Sequence, residues 1–268
     1  MSTSIDVKAG EQQLYFRAGG EWCYLWTPKS FRTDRPVPVI VHHHGFEGYV
    51  NAQSADWLEE DYKIGLLRAV MAAGDGCAVA GSHACGDHCG HPGAVEANRA
   101  LFETLVAQPF VDPSRIGLMG GGMGGALIWN SVLGPLAGKV KAVAVLQSVA
   151  SLEAFIRAQR HKWMVLQAYD LPADASDDEA VARVAPHDPL NRLQRIPQGT
   201  ALPHTAIYHG ARDEDVILET HALPLAEALR KAGGSVSLEV FADVEHAVYM
   251  MGDSIEARLT QFFSRALV

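Results

Sequence analysis

The feature that most constrains this chain is a run of five glycines between an apolar segment and a helix-like one. Residues 115–125 read Arg-Ile-Gly-Leu-Met-Gly-Gly-Gly-Met-Gly-Gly, and the helix-like segment follows at Ala126–Leu133. Glycine tolerates backbone conformations and close approaches that other residues do not. The run therefore predicts a tight turn between a buried strand and a helix, as in a sheet whose strands are each followed by a helix.

Strand-like and helix-like segments alternate along most of the chain. The apolar run Val37–Val41 predicts a strand buried on both faces, and apolar residues at helical spacing predict a helix over Trp57–Ala73. Further strands are predicted at Leu14–Arg17, Glu21–Trp26, Cys77–Gly81, Ile116–Met119, Val143–Leu146, Thr205–His209 and Val236–Phe241, and further helices at Ala94–Ala107, Leu218–Lys231 and Ile255–Leu267. The alternation predicts an α/β fold with a mostly parallel central sheet flanked by helices.

Residues 150–200 interrupt this alternation. They contain several prolines, no strand pattern, and an acidic run made of Asp174, Asp177, Asp178 and Glu179. We interpret the segment as a short cap or lid insertion of helices and loops. Residues 1–268 are then expected to form a single α/β domain, a size at which such folds commonly stay undivided.

Composition excludes several classes of partner. The formal net charge of −9 and the absence of a long basic run argue against binding nucleic acid or an anionic membrane. No stretch approaches the roughly 18 uninterrupted apolar residues of a membrane span. The N-terminus lacks the pattern of an export signal, and four cysteines do not suggest a disulfide framework. We expect a cytoplasmic protein, and the sequence does not indicate its oligomeric state.

The glycine run also matches a known catalytic turn, except at one residue. In a nucleophile elbow, G-x-S-x-G holds a serine on a strained turn between a strand and a helix. When Gly120 and Gly124 are the flanking glycines, the serine position is residue 122, which is glycine. Gly120, Gly122 and Gly125 also satisfy the dinucleotide fingerprint G-x-G-x-x-G. The late position of the run, and the lack of an acidic residue after the next strand, argue against that alternative.

Three further motifs stand at the ends of predicted strands. His42-His-His-Gly-Phe-Glu-Gly48 follows the strand Val37–Val41, Tyr208-His-Gly-Ala-Arg-Asp-Glu-Asp-Val216 follows a late strand, and Phe241-Ala-Asp-Val-Glu-His246 follows the last one. His246 is the only histidine between that last strand and the final helix. Five carboxylates are candidates for orienting this histidine. Asp213 fits the motif best, and the others are Glu214 and Asp215 beside it and Asp243 and Glu245 close to His246.

In this order the motifs resemble those of the α/β-hydrolase superfamily, in its dienelactone hydrolase and prolyl-oligopeptidase-like esterase group. The matching patterns are H-G-F-x-G, R-I-G-L-M-G-x-S-M-G-G with glycine in place of serine, H-G-x-x-D-x-x-V and the terminal histidine, with His187-Asp-Pro-Leu as a weaker match.

The resemblance implies a Ser-Asp-His triad at Gly122, Asp213 and His246. It also implies an oxyanion hole made by the backbone N–H groups of Phe46 and Met123, in a turn that includes His44 and Gly45. The implied substrate is a small-molecule carboxylic ester, lactone or amide. No cofactor and no metal is implied.

One loop offers an alternative chemistry. Cys85, His88, Cys89 and His91 resemble a metal-ligand cluster, with Asp87 between them. Their spacing is not a standard zinc pattern, and no second cluster completes it. We interpret this loop instead as one wall of the catalytic cleft.

Gly122 leaves three explanations open. The residue can be an inactivating substitution introduced to remove the nucleophile, a natural loss that leaves a non-catalytic ligand-binding protein, or part of a cleft for nucleophile-free, lyase-type chemistry. The motifs for the acid, the base and the oxyanion turn are all present in the sequence, which favours one isolated change at position 122. The chain as written is expected to be inactive or strongly impaired as a hydrolase.

Overall fold

A single eight-stranded sheet forms the centre of the computed structural model, which describes residues 4–267. Its strands are β1 Gln12–Ala18, β2 Glu21–Thr27, β3 Val37–His43, β4 Ala78–Ser82, β5 Val111–Gly122, β6 Ala142–Ser148, β7 His204–Gly210 and β8 Val236–Phe241. They lie in the order β1-β2-β4-β3-β5-β6-β7-β8. β2 pairs antiparallel with β1 and β4, whereas all other neighbours are parallel.

Helices cover both faces of this sheet. They are α1 Asp61–Met71, α2 Pro92–Val106, α3 Gly124–Val132, α4 Leu152–Arg157, α5 Lys162–Ala168, α6 Asp177–Val184, α7 Pro189–Leu193, α8 Ala222–Lys231 and α9 Asp253–Ala266. Successive residues of a strand point to opposite faces. Thus Val39 and Val41 pack in the core layer of α2, α3 and α8, while Ile40 packs with α1 and α9. The predicted α/β class with a mostly parallel sheet is confirmed. Within residues 4–267, none of the helices combines the length and apolarity that crossing a bilayer requires.

Two predicted elements differ most from the observed ones in their bounds. The helix predicted over Trp57–Ala73 is divided into a 3-10 turn at Asp56–Leu58 and α1, with extended backbone at Glu60. The Asp56 carboxylate accepts hydrogen bonds from the Tyr49 N–H and the Lys63 ammonium, which tie the 3-10 turn to the preceding loop and to α1. The strand predicted at Ile116–Met119 is longer, because β5 pairs with β3 from its first residue and with β6 up to Gly122.

The segment 150–200 contains α4 to α7 and lies between β6 and β7. Its apolar residues, among them Phe155 and Met164, form a cluster with Met123 and Val216. Met123 directly follows the three glycines at the end of β5, and Val216 follows β7. The segment therefore packs over the carboxyl ends of the central parallel strands.

A buried histidine at the start of α8 makes stability depend on pH. Nδ1 of His221 accepts the N–H groups of Ala150 and Ser151 at 3.3 Å each, and burial lowers its pKa to about 3. The unfolded chain binds this proton near pH 6.5, so the free energy of unfolding falls as pH drops from there toward 3.

We expect His221→Gln to reduce this decline by about 1.4 kcal/mol per pH unit below about pH 6. Urea unfolding of both proteins at about pH 7.5 and about pH 5 measures the difference. If the free energy of unfolding fell equally in the two proteins between these pH values, the buried His221 would not be the cause of the pH dependence.

Candidate active site

The turn after β7 and the loop after β8 bring Asp213 against His246. Nδ1 of His246 lies 2.8 Å from Oδ2 of Asp213. The Asp213 side chain is fully buried, whereas a third of the His246 side chain is exposed. Because the imidazole donates its Nδ1 hydrogen to the carboxylate, Nε2 is left as the proton acceptor.

Asp213 is held as a charged carboxylate. Burial alone would raise its pKa, but the hydrogen bond and charge of His246 and the N–H of Val216 outweigh burial and lower the pKa. Its second oxygen accepts the N–H groups of Asp215 at 3.0 Å and Val216 at 2.7 Å. A carboxylate bound on both oxygens can orient an imidazole and stabilise its protonated form.

Of the four carboxylates that compete with Asp213 in the sequence, three are paired with other side chains. Asp215 pairs with Arg160 and contacts His161, Glu214 pairs with Arg160, and Asp243 pairs with Arg212. At Glu245, the backbone carbonyl accepts a hydrogen bond from Gln147. Of the five candidates, Asp213 is the one bound to His246.

Position 122 has room for a side chain. Gly122 has a φ of +50°, the left-handed conformation typical of a strained elbow. A Cβ built on it would lie 3.8 Å from Cα of Gly45 and 4.0 Å from Nε2 of His246, both ordinary van der Waals distances. A hydroxyl on that carbon could turn toward Nε2 and come within hydrogen-bond reach.

The other glycines of the run have no such space. A Cβ built on Gly120, Gly121 or Gly124 would lie 2.8, 2.9 or 2.5 Å, respectively, from a backbone oxygen. A Cβ built on Gly125 would collide with Cβ of Ser148. Those four glycines are required by close packing against β3, β6 and the segment after it. Among the five glycines at 120–125, only Gly122 leaves a side chain free space.

The predicted oxyanion donors lie beside this position. Phe46 and Met123 line the same cavity as Gly45, Gly122 and His246. Within residues 4–267, the backbone N–H of neither Phe46 nor Met123 has a protein acceptor. Two unpaired N–H groups beside a reacting carbon can stabilise the oxygen anion of a tetrahedral intermediate.

His44 is placed differently from the other members of that turn. Its buried ring nitrogens lie 2.8 Å and 2.9 Å from the carbonyl oxygens of Gly45 and His83. It does not border the cavity around Gly122. His44 therefore has a structural role, since its imidazole contacts the backbone of the turn at Gly45 and of the neighbouring loop at His83.

The cavity has a volume of about 360 Å³ and two chemically different walls. Phe155 and Met164 of the segment 150–200 form an apolar wall together with Val149 and Val216. A second, more polar part of the lining is formed by Asp56, Trp57, Tyr62 and Lys63. The Lys63 ammonium is already bound to Asp56 and Glu60. A small organic ligand fits a cavity of this size.

Gln147 is a residue of the site that the sequence analysis missed. It is the second-last residue of β6 and lines the cavity. Its Nε2 donates to Oδ2 of Asp213 at 3.2 Å and to the backbone carbonyl of Glu245. It has a left-handed φ of +47°. No motif marks this glutamine, because its partners lie 66 and 98 positions away in the chain.

The Cys85–His91 loop lies outside this cavity. Left-handed residues at Ala84 and Cys85 turn it toward Glu21, so that Cys85 and His91 line a separate cleft. Nδ1 of His91 caps α2 and Nδ1 of His88 accepts the N–H of Gly90. In the part of the chain that the structure describes, no three His, Cys, Asp or Glu side chains are arranged to hold a metal ion.

The comparisons with known proteins agree with this fold. Residues 96–267 match the model of the prolyl oligopeptidase family. A search of curated protein sequences found no match. Similar solved structures are a prolyl endopeptidase (14% identity, TM-score 0.71), dipeptidyl peptidase 4 of Porphyromonas gingivalis (18%, 0.68) and a puromycin-hydrolyzing peptidase of Mycobacterium tuberculosis (19%, 0.70).

Each of these alignments covers 96% of this chain but only 38%, 35% and 40% of the respective structures. The chain therefore spans well under half the length of these proteins. At such identities the likeness shows the fold, which is the α/β-hydrolase fold of the prolyl peptidases.

Proposed function

Because the chain belongs to the prolyl oligopeptidase family, a family of serine-hydrolase-type peptidases, we propose that its cavity is built to hydrolyse a carboxylic ester, lactone or amide. Residue 122 is the nucleophile position, His246 the general base, and Asp213 the carboxylate that orients it. The backbone N–H groups of Phe46 and Met123 form the oxyanion hole. With glycine at position 122, the chain is inactive or strongly impaired.

The observation that carries this proposal is the free space at position 122. Gly120, Gly121, Gly124 and Gly125 exclude a Cβ, whereas a Cβ at Gly122 would have only van der Waals neighbours, one of them Nε2 of His246 at 4.0 Å. The geometry that a serine requires is thus retained where the serine itself is absent. A glycine run needed only for packing would not leave this one space directed at an oriented histidine.

With serine at 122, the chemistry follows from these contacts. Nε2 of His246 removes the hydroxyl proton as the oxygen attacks the carbonyl carbon, and the N–H groups of Phe46 and Met123 bind the oxyanion. Collapse expels the alcohol or amine, which takes the proton from His246. Water then hydrolyses the acyl-enzyme by the same route.

With glycine at 122, no side chain can form the acyl-enzyme. Loss of one triad member typically leaves about 10³- to 10⁴-fold catalysis over water, supplied by the oxyanion hole and by binding. Hydrolysis of a short-chain p-nitrophenyl ester, before and after Gly122→Ser, tests the assignment.

The segment 150–200 is proposed as a cap of the same single domain. Phe155 and Met164 turn apolar side chains toward the cavity, where Met123 and Val149 extend the apolar wall. This wall suits the apolar part of a substrate, since burial stabilises binding by about 25 cal/mol per Å² of apolar surface.

A second function is favoured by the open Nε2 of His246. With Nδ1 bound to Asp213 and no side chain at Gly122, this nitrogen could act as a base on a water or on a ligand proton. The cleft would then serve ligand binding or nucleophile-free, lyase-type chemistry. An unchanged residual rate in His246→Ala would rule out the base-catalysed form of this alternative.

The space at position 122 also predicts an order of stability. Gly122→Ser should lower the free energy of unfolding by about 1–2 kcal/mol, the cost of a left-handed backbone for an L-residue. Gly121→Ser should cost more, because its Cβ would lie 2.9 Å from the carbonyl oxygen of Leu146. Urea unfolding of the two variants measures the difference. Equal losses would mean that position 122 is as crowded as its neighbour.

A further inference from the structure

We propose that Gln147 is a positioning residue that keeps the Asp213 carboxylate and the His246 imidazole aligned with each other. The inference rests on the proposed roles of Asp213 and His246, but it concerns a side chain that the triad does not include. It explains how the pair can stay aligned in a chain that has no nucleophile.

The amide of Gln147 connects two loops that are far apart in sequence. Its Nε2 donates one hydrogen to Oδ2 of Asp213 and the other to the carbonyl of Glu245, the residue before His246. Both hydrogens of the amide are thereby used. One side chain ties the carboxylate to the backbone that carries the imidazole.

The orientation of this amide follows from its acceptors. A reversed amide would direct Oε1 at a carboxylate oxygen and a carbonyl oxygen, neither of which can donate a hydrogen. Gln147 therefore acts as a donor to both loops.

The backbone after Gln147 contacts position 122, the proposed place of the nucleophile. Val149 donates its N–H to the carbonyl of Gly122 at 2.8 Å. β6 lies between β5, which carries position 122, and β7, which leads to Asp213. Residues 147–149 thus contact the nucleophile position, the acid and the loop of the base.

Gln147 is costly for the fold, which argues for a functional role. It has a left-handed φ of +47°, which is unfavourable for a residue with a side chain. It is 1% exposed, and its Oε1 has no hydrogen-bond partner among residues 4–267. Strained backbone and unsatisfied buried polar atoms concentrate at functional sites.

The consequence is specific to a chain with glycine at 122. A serine would add a hydrogen bond to Nε2 of His246, and here that bond is missing. The Asp213 contact and the tether at Glu245 are what hold the imidazole, a third of which is exposed. We infer that the Asp213–His246 pair stays aligned because of Gln147.

The first test uses the chain with Gly122 and needs no activity. A histidine Nδ1–H bonded to a carboxylate gives a strongly downfield proton NMR signal, which His246→Gln assigns by removing it. We expect Gln147→Met, similar in length but without donors, to remove or broaden this signal, while Gln13→Met on the exposed face of β1 leaves it intact. An unchanged signal in Gln147→Met would overturn the proposal.

The second test uses the Gly122→Ser protein. Adding Gln147→Met should lower kcat by about 10- to 100-fold with a smaller change in KM, since the hydrogen bond to the charged Asp213 is lost while Met keeps the approximate size of the side chain that lines the cavity. Gln147→Glu, which keeps the size and polarity, should also lower kcat because it sets a second carboxylate beside Asp213; it replaces Gln147→Met if that variant does not fold. A kcat that neither variant lowers would contradict the proposal. If Gly122→Ser itself is inactive, the proposed hydrolase fails, and the NMR signal still decides on Gln147.

Discussion

Gly122→Ser is expected to increase the hydrolysis of a short-chain p-nitrophenyl ester by several orders of magnitude, up to about 10⁶-fold. The reason is that, in the proposed mechanism, the general base and its orienting carboxylate are already in place. Nε2 of His246 lies 4.0 Å from the Cβ that serine would bring, and Nδ1 is held by Asp213 at 2.8 Å. Initial rates of the two proteins, measured side by side on esters and amides, give the ratio.

Matched variants separate this effect from a general change in the cavity. Gly121→Ser adds the same side chain one residue earlier, where it collides with the carbonyl of Leu146, and should give no increase. Gly122→Ala adds the Cβ without the hydroxyl and should also give none. His246→Ala should abolish the gain of Gly122→Ser. An equal rate with and without His246 would contradict the proposed mechanism.

Asp213→Asn in the Gly122→Ser protein should lower kcat by about 10⁴-fold with little change in KM. The asparagine amide would present a hydrogen to Nδ1 of His246 instead of accepting one. The imidazole would then carry its hydrogen on Nε2, where it could no longer take the serine proton. Steady-state kinetics on the best ester or amide substrate measure the effect.

The competing carboxylates provide controls for this result. Asp215→Asn removes a partner of His161 and Arg160, and Asp243→Asn removes an exposed partner of Arg212. Neither contacts His246, so each should change kcat less than about tenfold. Asp243 belongs to an exposed ion pair, whereas Asp215 lines the cavity, so Asp215→Asn is also expected to change KM. A loss in Asp215→Asn as large as that in Asp213→Asn would mean that the acid has been misassigned.

Much of the fold was predictable because local patterns specify it. Val37–Val41 and Val143–Leu146 are continuous apolar runs, as expected for strands buried on both faces, and both lie within parallel strands. Four of the five glycines at 120–125 are required by close packing against neighbouring strands and the segment after β6. The glycine run therefore predicted the turn from β5 to α3.

The features that were not predictable depend on contacts between distant residues. Nothing near Gln147 in sequence indicates that its amide meets Asp213 and Glu245. The helix predicted at 57–73 is divided at Glu60, whose backbone is extended, and the Cys85–His91 loop is turned toward a separate cleft by two left-handed residues. Periodicity carries no information about such contacts. The sequence also could not single out Asp213 among the five candidate carboxylates, because the choice depends on which side chains each of them contacts in the fold.

Covalent labelling tests the central claim most directly, because it requires no knowledge of the substrate. The Gly122→Ser protein is treated with a fluorophosphonate, which reacts with a serine activated by a neighbouring base, and is then analysed by intact-mass and peptide mass spectrometry. We predict one phosphonyl adduct, located on the serine introduced at position 122 and absent from the unchanged chain, from Gly121→Ser and from the protein that also carries His246→Ala. No adduct, or an adduct that forms equally well without His246, would contradict the account of position 122 as the nucleophile site of an otherwise assembled hydrolase.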